Sequence, residues 1–227
     1  MKPEPAGIYD LLFGAPGTGK IDLTNNPLLD NPNIDGYRYK VGWAKIQPDN
    51  AATFNWASID SAIAIAAAHG KKLCVSIAGG LSTPGWAYTT APLVYKYTYQ
   101  EIDTITGVSV GSSPLPWDTA YLDKWQTFLA AFAAHYENNP ACSYVVMGGF
   151  MQNFNMVVAT TDEDFNALEN LAKNPPPGYP GLVTAYADFS AAYVPAAQRV
   201  ITDFVTYFPT TSLVMTYYKV PGDLGIT

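Results

Sequence analysis

The sequence contains little charge, and its positive charge is particularly sparse. Charged residues make up 14% of the chain, with 12 lysines and arginines against 19 aspartates and glutamates and a formal net charge of −7. Only two arginines are present, Arg38 and Arg199. Binding to a phosphate backbone requires a cluster of basic side chains, which this composition does not supply. We therefore expect no nucleic-acid partner.

Long apolar runs are also missing. The opening MKPEPAGIYD has no apolar stretch of signal-peptide length. No later segment approaches the roughly 18 consecutive apolar residues of a membrane span. We expect no signal peptide, no transmembrane segment and no membrane partner, and the sequence leaves the compartment open.

Cysteine and histidine are too few for the usual nucleophilic and metal sites. The two cysteines, Cys74 and Cys142, lack metal-ligand spacing and lie in or beside apolar strand-like runs, which favours buried free thiols. The two histidines, His69 and His135, fall in the last turns of predicted helices, where a cation is favourable. No histidine remains for a Ser-His-Asp triad or a histidine metal site. We expect no metal and no cofactor.

Aromatic residues, in contrast, are abundant. They make up 14% of the chain and include 16 tyrosines and 5 tryptophans. Amphipathic rings stack on sugars and line ligand grooves, and they also fill the cores of barrels and sandwiches. Composition alone leaves both uses open.

Strand-like and helix-like segments alternate along the chain, which predicts βα units and a mainly parallel sheet. The predicted strands are residues 7–14, 36–48, 71–80, 142–153 and 212–219. The predicted helices are residues 56–70, 118–139 with Asp118 as N-cap, 161–174 with Thr161 as cap, and 182–208, which Pro195 kinks or divides. A β-hairpin is predicted within residues 93–111. This pattern fits an open doubly wound sheet or the first part of a (β/α)8 barrel.

Two short motifs resemble known functional loops but lack the required context. FGAPGTGKI, residues 13–21, has phosphate-loop spacing, but Ile21 replaces the hydroxyl residue that holds Mg²⁺ and an Asn/Pro-rich stretch follows in place of a helix. A nucleotide site through residues 14–20 stays as an alternative, and it would require a helix beginning at Lys20. GVSVG, residues 107–111, has esterase-elbow spacing, but the prolines that follow exclude the necessary helix.

Aromatic, amide and lysine side chains follow the predicted strands at the ends where active sites of parallel α/β proteins lie. They are Trp43, Lys45 and Gln47 after the second strand, Trp86 after the third, Gln152, Asn153 and Asn155 after the fourth, and Tyr217, Tyr218 and Lys219 in the fifth. Rings for stacking combined with amide and ammonium groups for hydrogen bonding suit a sugar site. Each tryptophan also has the alternative role of packing a loop.

Four segments over residues 36–150 carry a family resemblance. WAKIQP, FNWASID, HGKKLCVSIAGG with TPGWAY, and PWDTAYLDKWQTFLAAFAAHYENNP follow one another in this order. The series resembles the N-terminal half of clan-A-type (β/α)8 barrel glycoside hydrolases, the cellulase-like and β-galactosidase-like enzymes, which commonly show W-x-x-I-E-P, Y-D-W-x-x-L-D, G-K-x-V and P-x-W. The resemblance implies a TIM-barrel fold, an oligo- or polysaccharide partner, and a pair of carboxylates that cleave a glycosidic bond with retention.

The chain departs from that family in two ways. The family's acid/base glutamate matches Gln152 or Asn153, or Asn155 in another alignment, and an amide cannot donate and retrieve a proton at neutral pH. The chain also ends after the fifth predicted strand, so the nucleophile of a seventh strand is absent. We therefore expect one domain over residues 1–227, an α/β partial barrel of about five βα units with a hairpin inserted after strand three.

These departures leave the predicted function with alternatives. The first is a glycoside-hydrolase-like protein that acts on or binds a carbohydrate, with Gln152 and Asn153 at the catalytic position. Its predicted substrate-binding residues are Trp43, Lys45, Gln47, Trp86, Asn155 and Tyr217. A non-catalytic carbohydrate-binding pseudoenzyme is the alternative, and whether the chain is an enzyme stays open. Exposed edges of an incomplete barrel are prone to self-association.

Overall fold

The protein has an α/β structure in the computed structural model, which describes residues 7–11, 23, 26–103, 107–150 and 162–215. In chain order the elements are β1 (Tyr9–Leu11), β2 (Gly36–Gly42), α1 (Trp43–Ile46), α2 (Ala57–Ala68), β3 (Lys72–Ala78), α3 (Gly85–Thr89), β4 (Lys96–Asp103), β5 (Gly107–Pro114), α4 (Thr119–Tyr136), β6 (Cys142–Met147), α5 (Asp162–Lys173), α6 (Phe189–Tyr207) and β7 (Ser212–Met215). None of the helices in these ranges is long and apolar enough to cross a membrane.

The main sheet has five parallel strands in the order β1-β2-β3-β6-β7. Each strand pairs with the next one along the chain that belongs to this sheet. A doubly wound sheet reverses its strand order at a switch point, and the described strands show no reversal, so the order is that of a barrel. Within the described residues β1 and β7 each pair on one side only, and the predicted self-association through these edges stays a prediction.

The sheet is curled, as in a barrel wall. The Tyr9 ring on β1 meets the Tyr144 ring on β6 edge-on with centroids 5.0 Å apart, although β2 and β3 lie between these strands. Four flat strands would span about 14 Å at the usual spacing of about 4.8 Å. Gly36 on β2 makes room for this contact, because a Cβ there would lie 2.3 Å from the Tyr9 ring. The five strands thus form a half-barrel with a concave inner face.

Alternating side chains divide the sheet into two faces. On the concave face the Arg38 guanidinium donates to the Ser76 hydroxyl at 3.2 Å, and Cys74 is buried in a small cluster with Ala78 and Val146. The convex face packs against the helices and holds the large core. Its fully buried strand residues include Tyr37, Leu73, Val75 and Val145. Each such side chain contributes about 1.5–3 kcal/mol through burial.

Helix α4 supplies much of the helical side of this core. Its apolar stripe is buried, including Trp125, Phe128, Leu129 and Phe132. The predicted N-cap is confirmed, because the Asp118 carboxylate accepts from the Ala120 amide at 2.9 Å. The buried free thiols are also confirmed, and burial raises the pKa of both Cys74 and Cys142 to about 12.

Strands β4 and β5 form a separate antiparallel pair between α3 and α4. The rings of Tyr97 and Tyr99 on β4 stack with centroids 6.1 Å apart, and both side chains are buried. The Tyr97 hydroxyl donates to the carbonyl of Asp164 in α5 at 3.3 Å. The pair is therefore packed against the helix that follows β6.

Three predicted boundaries were wrong. The strand predicted over residues 142–153 ends at Met147, and residues 148–150 are not part of it. The strand predicted over residues 36–48 ends at Gly42, where its pairing with β3 also ends, and one turn of helix follows. The helix predicted over residues 182–208 begins at Phe189, because Asp188 caps it by accepting from the Ala191 amide at 2.7 Å. Pro195 lies inside one continuous helix and does not divide it. The predicted cap Thr161 lies outside the described residues.

Candidate functional site

The strands β2, β3 and β6 end side by side at one edge of the half-barrel, which we call the C-terminal rim. Gly42 pairs with Ala78 at the last register position of β2 and β3, and Val146 pairs with Ser76 on β3. The chain therefore leaves the three strands at neighbouring points. Active sites of parallel α/β proteins lie at this edge.

Trp43 and Gln47 form a buried pair at this rim. The one-turn helix α1 places them four residues apart on one side, and the Trp43 indole N–H donates to Gln47 Oε1 at 2.7 Å. The Gln47 amide nitrogen in turn donates to the carbonyl of Ala51 at 2.7 Å. Trp43 is 0% exposed and Gln47 is 2% exposed. Both were predicted from the sequence as substrate-binding residues. The structure places both beneath the surface, and their binding role stays a prediction.

Trp86 on α3 joins the same unit. Its indole N–H donates to the backbone carbonyl of Gln47 at 2.8 Å, and its ring lies perpendicular to the Trp43 ring at 5.9 Å. The residue is 9% exposed, so little of it reaches solvent. Lys45, in α1 two residues after Trp43, is exposed. The structure therefore brings together Trp43, Gln47 and Trp86, and Lys45 is the exposed predicted binding residue on the same helical turn.

Two further rings complete the layer beneath the rim. Trp43 lies 5.3 Å from Trp125 and 6.2 Å from Tyr121, both on α4 and both fully buried. We call Trp43, Trp86, Tyr121 and Trp125 the rim aromatic cluster. From the sequence, Tyr121 and Trp125 were placed only within the helix predicted over residues 118–139. Both residues lie in the first two turns of a helix that starts at this rim. This position was the sequence signal that could have placed them near the site.

Two glycines let the loops after β3 and β6 touch. A Cβ on Gly79 would lie 2.7 Å from the Cα of Gly149, and a Cβ on Gly149, whose φ is +136°, would lie 2.7 Å from the Trp125 indole nitrogen. The Tyr121 hydroxyl accepts a hydrogen bond from the Gly80 amide at 3.2 Å and donates one to the Gly149 carbonyl. The two loops are thus held together directly above the rim aromatic cluster.

The carboxylate of Asp118, at the start of α4, has a structural role. It is 0% exposed, and besides capping α4 it accepts from the Tyr95 amide at 2.8 Å. Burial raises the pKa of Asp118, and the amide hydrogen bonds partly oppose this rise. Asp118 therefore joins the residue before β4 to the start of α4, and both of its carboxylate oxygens accept backbone hydrogen bonds. No group of three or more potential metal ligands occurs in the described ranges.

Several predicted site residues fall outside the described residues. They are Gln152, Asn153, Asn155, Tyr217, Tyr218 and Lys219, together with the glycine loop of residues 13–21. Their roles stay predictions.

A polar cavity of about 670 Å³ lies at the opposite edge, the N-terminal rim, among the first residues of the strands. Its lining includes Tyr9, Lys72, Cys142 and Ser212. Much of its polar lining already has partners: the Lys71 ammonium, for example, donates to two backbone carbonyls at 2.7 and 2.6 Å. Its size suits a ligand, but its hydrogen bonds hold loops, so we place the candidate site at the C-terminal rim.

No family model and no curated protein matches this chain. Among solved structures it is similar to the β-galactosidase from the psychrophilic Marinomonas ef1, with a TM-score of 0.50 and 13% identity over 82% of this chain and 33% of that one. It is also similar to xylanase B from Clostridium stercorarium F9, with a TM-score of 0.50 and 12% identity over 94% of this chain and 52% of that one. The fold is a glycoside-hydrolase-like partial barrel.

This likeness confirms the predicted barrel-type fold. The chain spans about a third of the β-galactosidase and about half of the xylanase. Its activity and substrate do not follow from the fold, since one fold hosts many functions.

Proposed function

We propose that this chain binds an oligo- or polysaccharide at the C-terminal rim of its half-barrel. The observation that carries the proposal is the unit of Trp43, Gln47 and Trp86 beside the exposed Lys45, located where three parallel strands end. The structural neighbours named above are, by their names, a β-galactosidase and a xylanase, which supports a carbohydrate as the ligand class.

The accessible residues make the first contacts in this proposal. Trp86, which is 9% exposed, offers apolar surface to a sugar ring, and by analogy with aromatic pairs such a contact contributes about 0.5–1.5 kcal/mol beyond area burial. The Lys45 ammonium donates hydrogen bonds to sugar hydroxyls. Trp43 and Gln47 hold Trp86 in place. Asn155 and Tyr217, which lie outside the described residues, would add an amide and a phenol to this proposed site.

We propose binding without hydrolysis by this chain alone. A retaining glycosidase needs two carboxyl groups about 5–5.5 Å apart, one of them protonated. The sequence positions that match the acid/base residue are Gln152 and Asn153, and amides cannot exchange a proton in this way. The proposal also assigns the chain to the N-terminal portion of a clan-A-type barrel of about five βα units, with β4 and β5 as an inserted hairpin.

Isothermal titration of the purified chain with neutral xylo-, cello- and galacto-oligosaccharides tests the proposal. We expect saturable binding of at least one series and no release of aryl alcohol from aryl glycosides. The absence of heat across the panel, from protein that circular dichroism shows to be folded, would refute the binding function. Turnover of an aryl glycoside would refute the non-catalytic assignment.

A further inference from the structure

We propose that Tyr121 is a positioning residue for the carbohydrate site, because its hydroxyl fixes the loop after β3 against the loop after β6. This inference rests on the proposed function. It concerns a side chain that contacts neither solvent nor ligand and acts only through the two loops. The group defined by Gly79, Gly80, Tyr121 and Gly149 is called the loop clamp below.

The hydroxyl of Tyr121 is the only side-chain group in the loop clamp. Tyr121 is 0% exposed, accepts from the Gly80 amide at 3.2 Å and donates to the Gly149 carbonyl. One side-chain oxygen therefore satisfies a donor from one loop and an acceptor from the other. Burial raises the pKa of Tyr121, so the hydroxyl keeps the proton that it donates.

The glycines explain why one hydroxyl can join both loops. The Tyr121 oxygen would lie 2.9 Å from a Cβ on Gly79, and such a Cβ would also lie 2.7 Å from the Gly149 Cα. Any side chain at position 79 therefore pushes the loops apart and displaces the hydroxyl. At position 149 the φ of +136° and the Trp125 indole both exclude a side chain.

The loop clamp is connected to the proposed binding residues. From Gly80 the chain runs through the short helical turn Gly80–Ser82 into α3, which carries Trp86. The Tyr121 ring and the Trp125 ring both contact the Trp43 ring, and the Trp43 ring contacts Trp86. Loss of the hydroxyl therefore frees the start of the segment that carries Trp86, while the core packing of the Tyr121 ring remains.

Tyr121→Phe and Tyr136→Phe form a matched pair of variants for a test. Tyr136 lies at the other end of the same helix and is 1% exposed, and its hydroxyl donates to Asp60 Oδ1 at 2.8 Å. Each change removes one buried hydroxyl and keeps the ring. We expect similar losses of melting temperature, but only Tyr121→Phe should accelerate hydrogen exchange of the Gly80 amide, by about tenfold, since only there does that amide lose its acceptor.

Affinity for the oligosaccharide identified by titration gives the second measurement. We expect Tyr121→Phe to weaken binding about three- to tenfold and Tyr136→Phe to leave it unchanged. Gly79→Ala, which separates the loops without altering the tyrosine, should weaken binding at least as much. Unchanged Gly80 exchange in Tyr121→Phe, or equal affinity losses in the two tyrosine variants, would overturn the positioning role. If the unmodified chain binds no glycan, the proposed function is refuted, and the positioning role for a carbohydrate site is refuted with it. The exchange experiment then tests only whether the Tyr121 hydroxyl holds the loop clamp together.

Discussion

The two rims of the half-barrel differ in how far aromatic rings contribute to holding their loops. At the N-terminal rim, the Glu137 carboxylate accepts from the Thr210 hydroxyl at 2.6 Å and from the Thr211 amide at 3.2 Å. Lys71 bonds two loop carbonyls there. At the C-terminal rim the Asp118 carboxylate and the Lys124 ammonium also bind loop backbone, and aromatic rings are added to these joints, as in Trp125 against Gly149.

This difference indicates which rim is free to bind. At the N-terminal rim much of the polar cavity lining, including Lys71 and Glu137, is engaged by loop contacts. At the C-terminal rim Lys45 is exposed and Trp86 is 9% exposed, and buried rings pack beneath them. In parallel barrels the C-terminal rim commonly serves function and the N-terminal rim stability.

The largest expected effect follows from Trp43→Ala. Trp43 has no exposed surface and contacts the rings of Trp86, Trp125 and Phe128. Truncating a buried tryptophan leaves a cavity and lowers the free energy of unfolding by about 3–5 kcal/mol. Urea denaturation measures the loss. Val205→Ala, at an apolar side chain on α6 that is 50% exposed, is the control and should change stability by less than about 0.5 kcal/mol.

A loss of under about 1 kcal/mol from Trp43→Ala would contradict the structural role of the rim aromatic cluster. Such a small loss would favour the alternative in which the Trp43 ring lies at the surface and contacts a sugar directly.

An intermediate effect is expected at the N-terminal rim from Glu137→Gln. Burial alone would raise the pKa of Glu137, but hydrogen bonds from Thr210 and Thr211 outweigh it and hold the pKa below its ordinary value. The contribution of the carboxylate to stability is therefore complete above the unfolded pKa of about 4.3 and disappears as the pH falls through the lower folded pKa. We expect Glu137→Gln to lose about 1 kcal/mol at neutral pH.

Chemical denaturation over a pH series tests the direction of this pH dependence of stability. The difference between the unmodified protein and Glu137→Gln should shrink towards zero as the pH falls below about 4. Asp49→Asn, at an exposed position near the other rim, serves as the control for the removal of a surface carboxylate without hydrogen bonds to loop residues 210 and 211. A gap that widened on acidification would show that Glu137 does not act through its charge.

Local sequence patterns were sufficient for the parts of the fold that depend on neighbours along the chain. The apolar run ending in two glycines after residue 71 predicted β3, and Asp118 before an amphipathic stripe predicted the start of α4. The order of alternating elements predicted a parallel sheet, and the structure also decided between the open and barrel forms.

The burial of the predicted site residues could not be predicted from local sequence patterns. The indole of Trp86 bonds the Gln47 carbonyl across 39 positions, and Trp43 meets α4 rings about 80 residues away in the sequence. Such contacts depend on tertiary packing. The missed start of α6 is different, since Asp188 before Ala191 was a recognisable N-cap signal.

The smallest effect on stability, and the sharpest distinction between the rims, comes from Lys45→Ala and Lys72→Ala. Both lysines are exposed, one at the C-terminal rim and one lining the cavity at the N-terminal rim. Each change should alter the free energy of unfolding by less than about 0.5 kcal/mol. We expect Lys45→Ala to weaken oligosaccharide binding about three- to tenfold, or about 0.7–1.4 kcal/mol, which is the usual net contribution of one hydrogen bond. Lys72→Ala should leave affinity unchanged in the same titration. A reversed result would move the binding site to the N-terminal cavity, because it would mean that the polar groups there are available to a ligand despite their contacts with the loops.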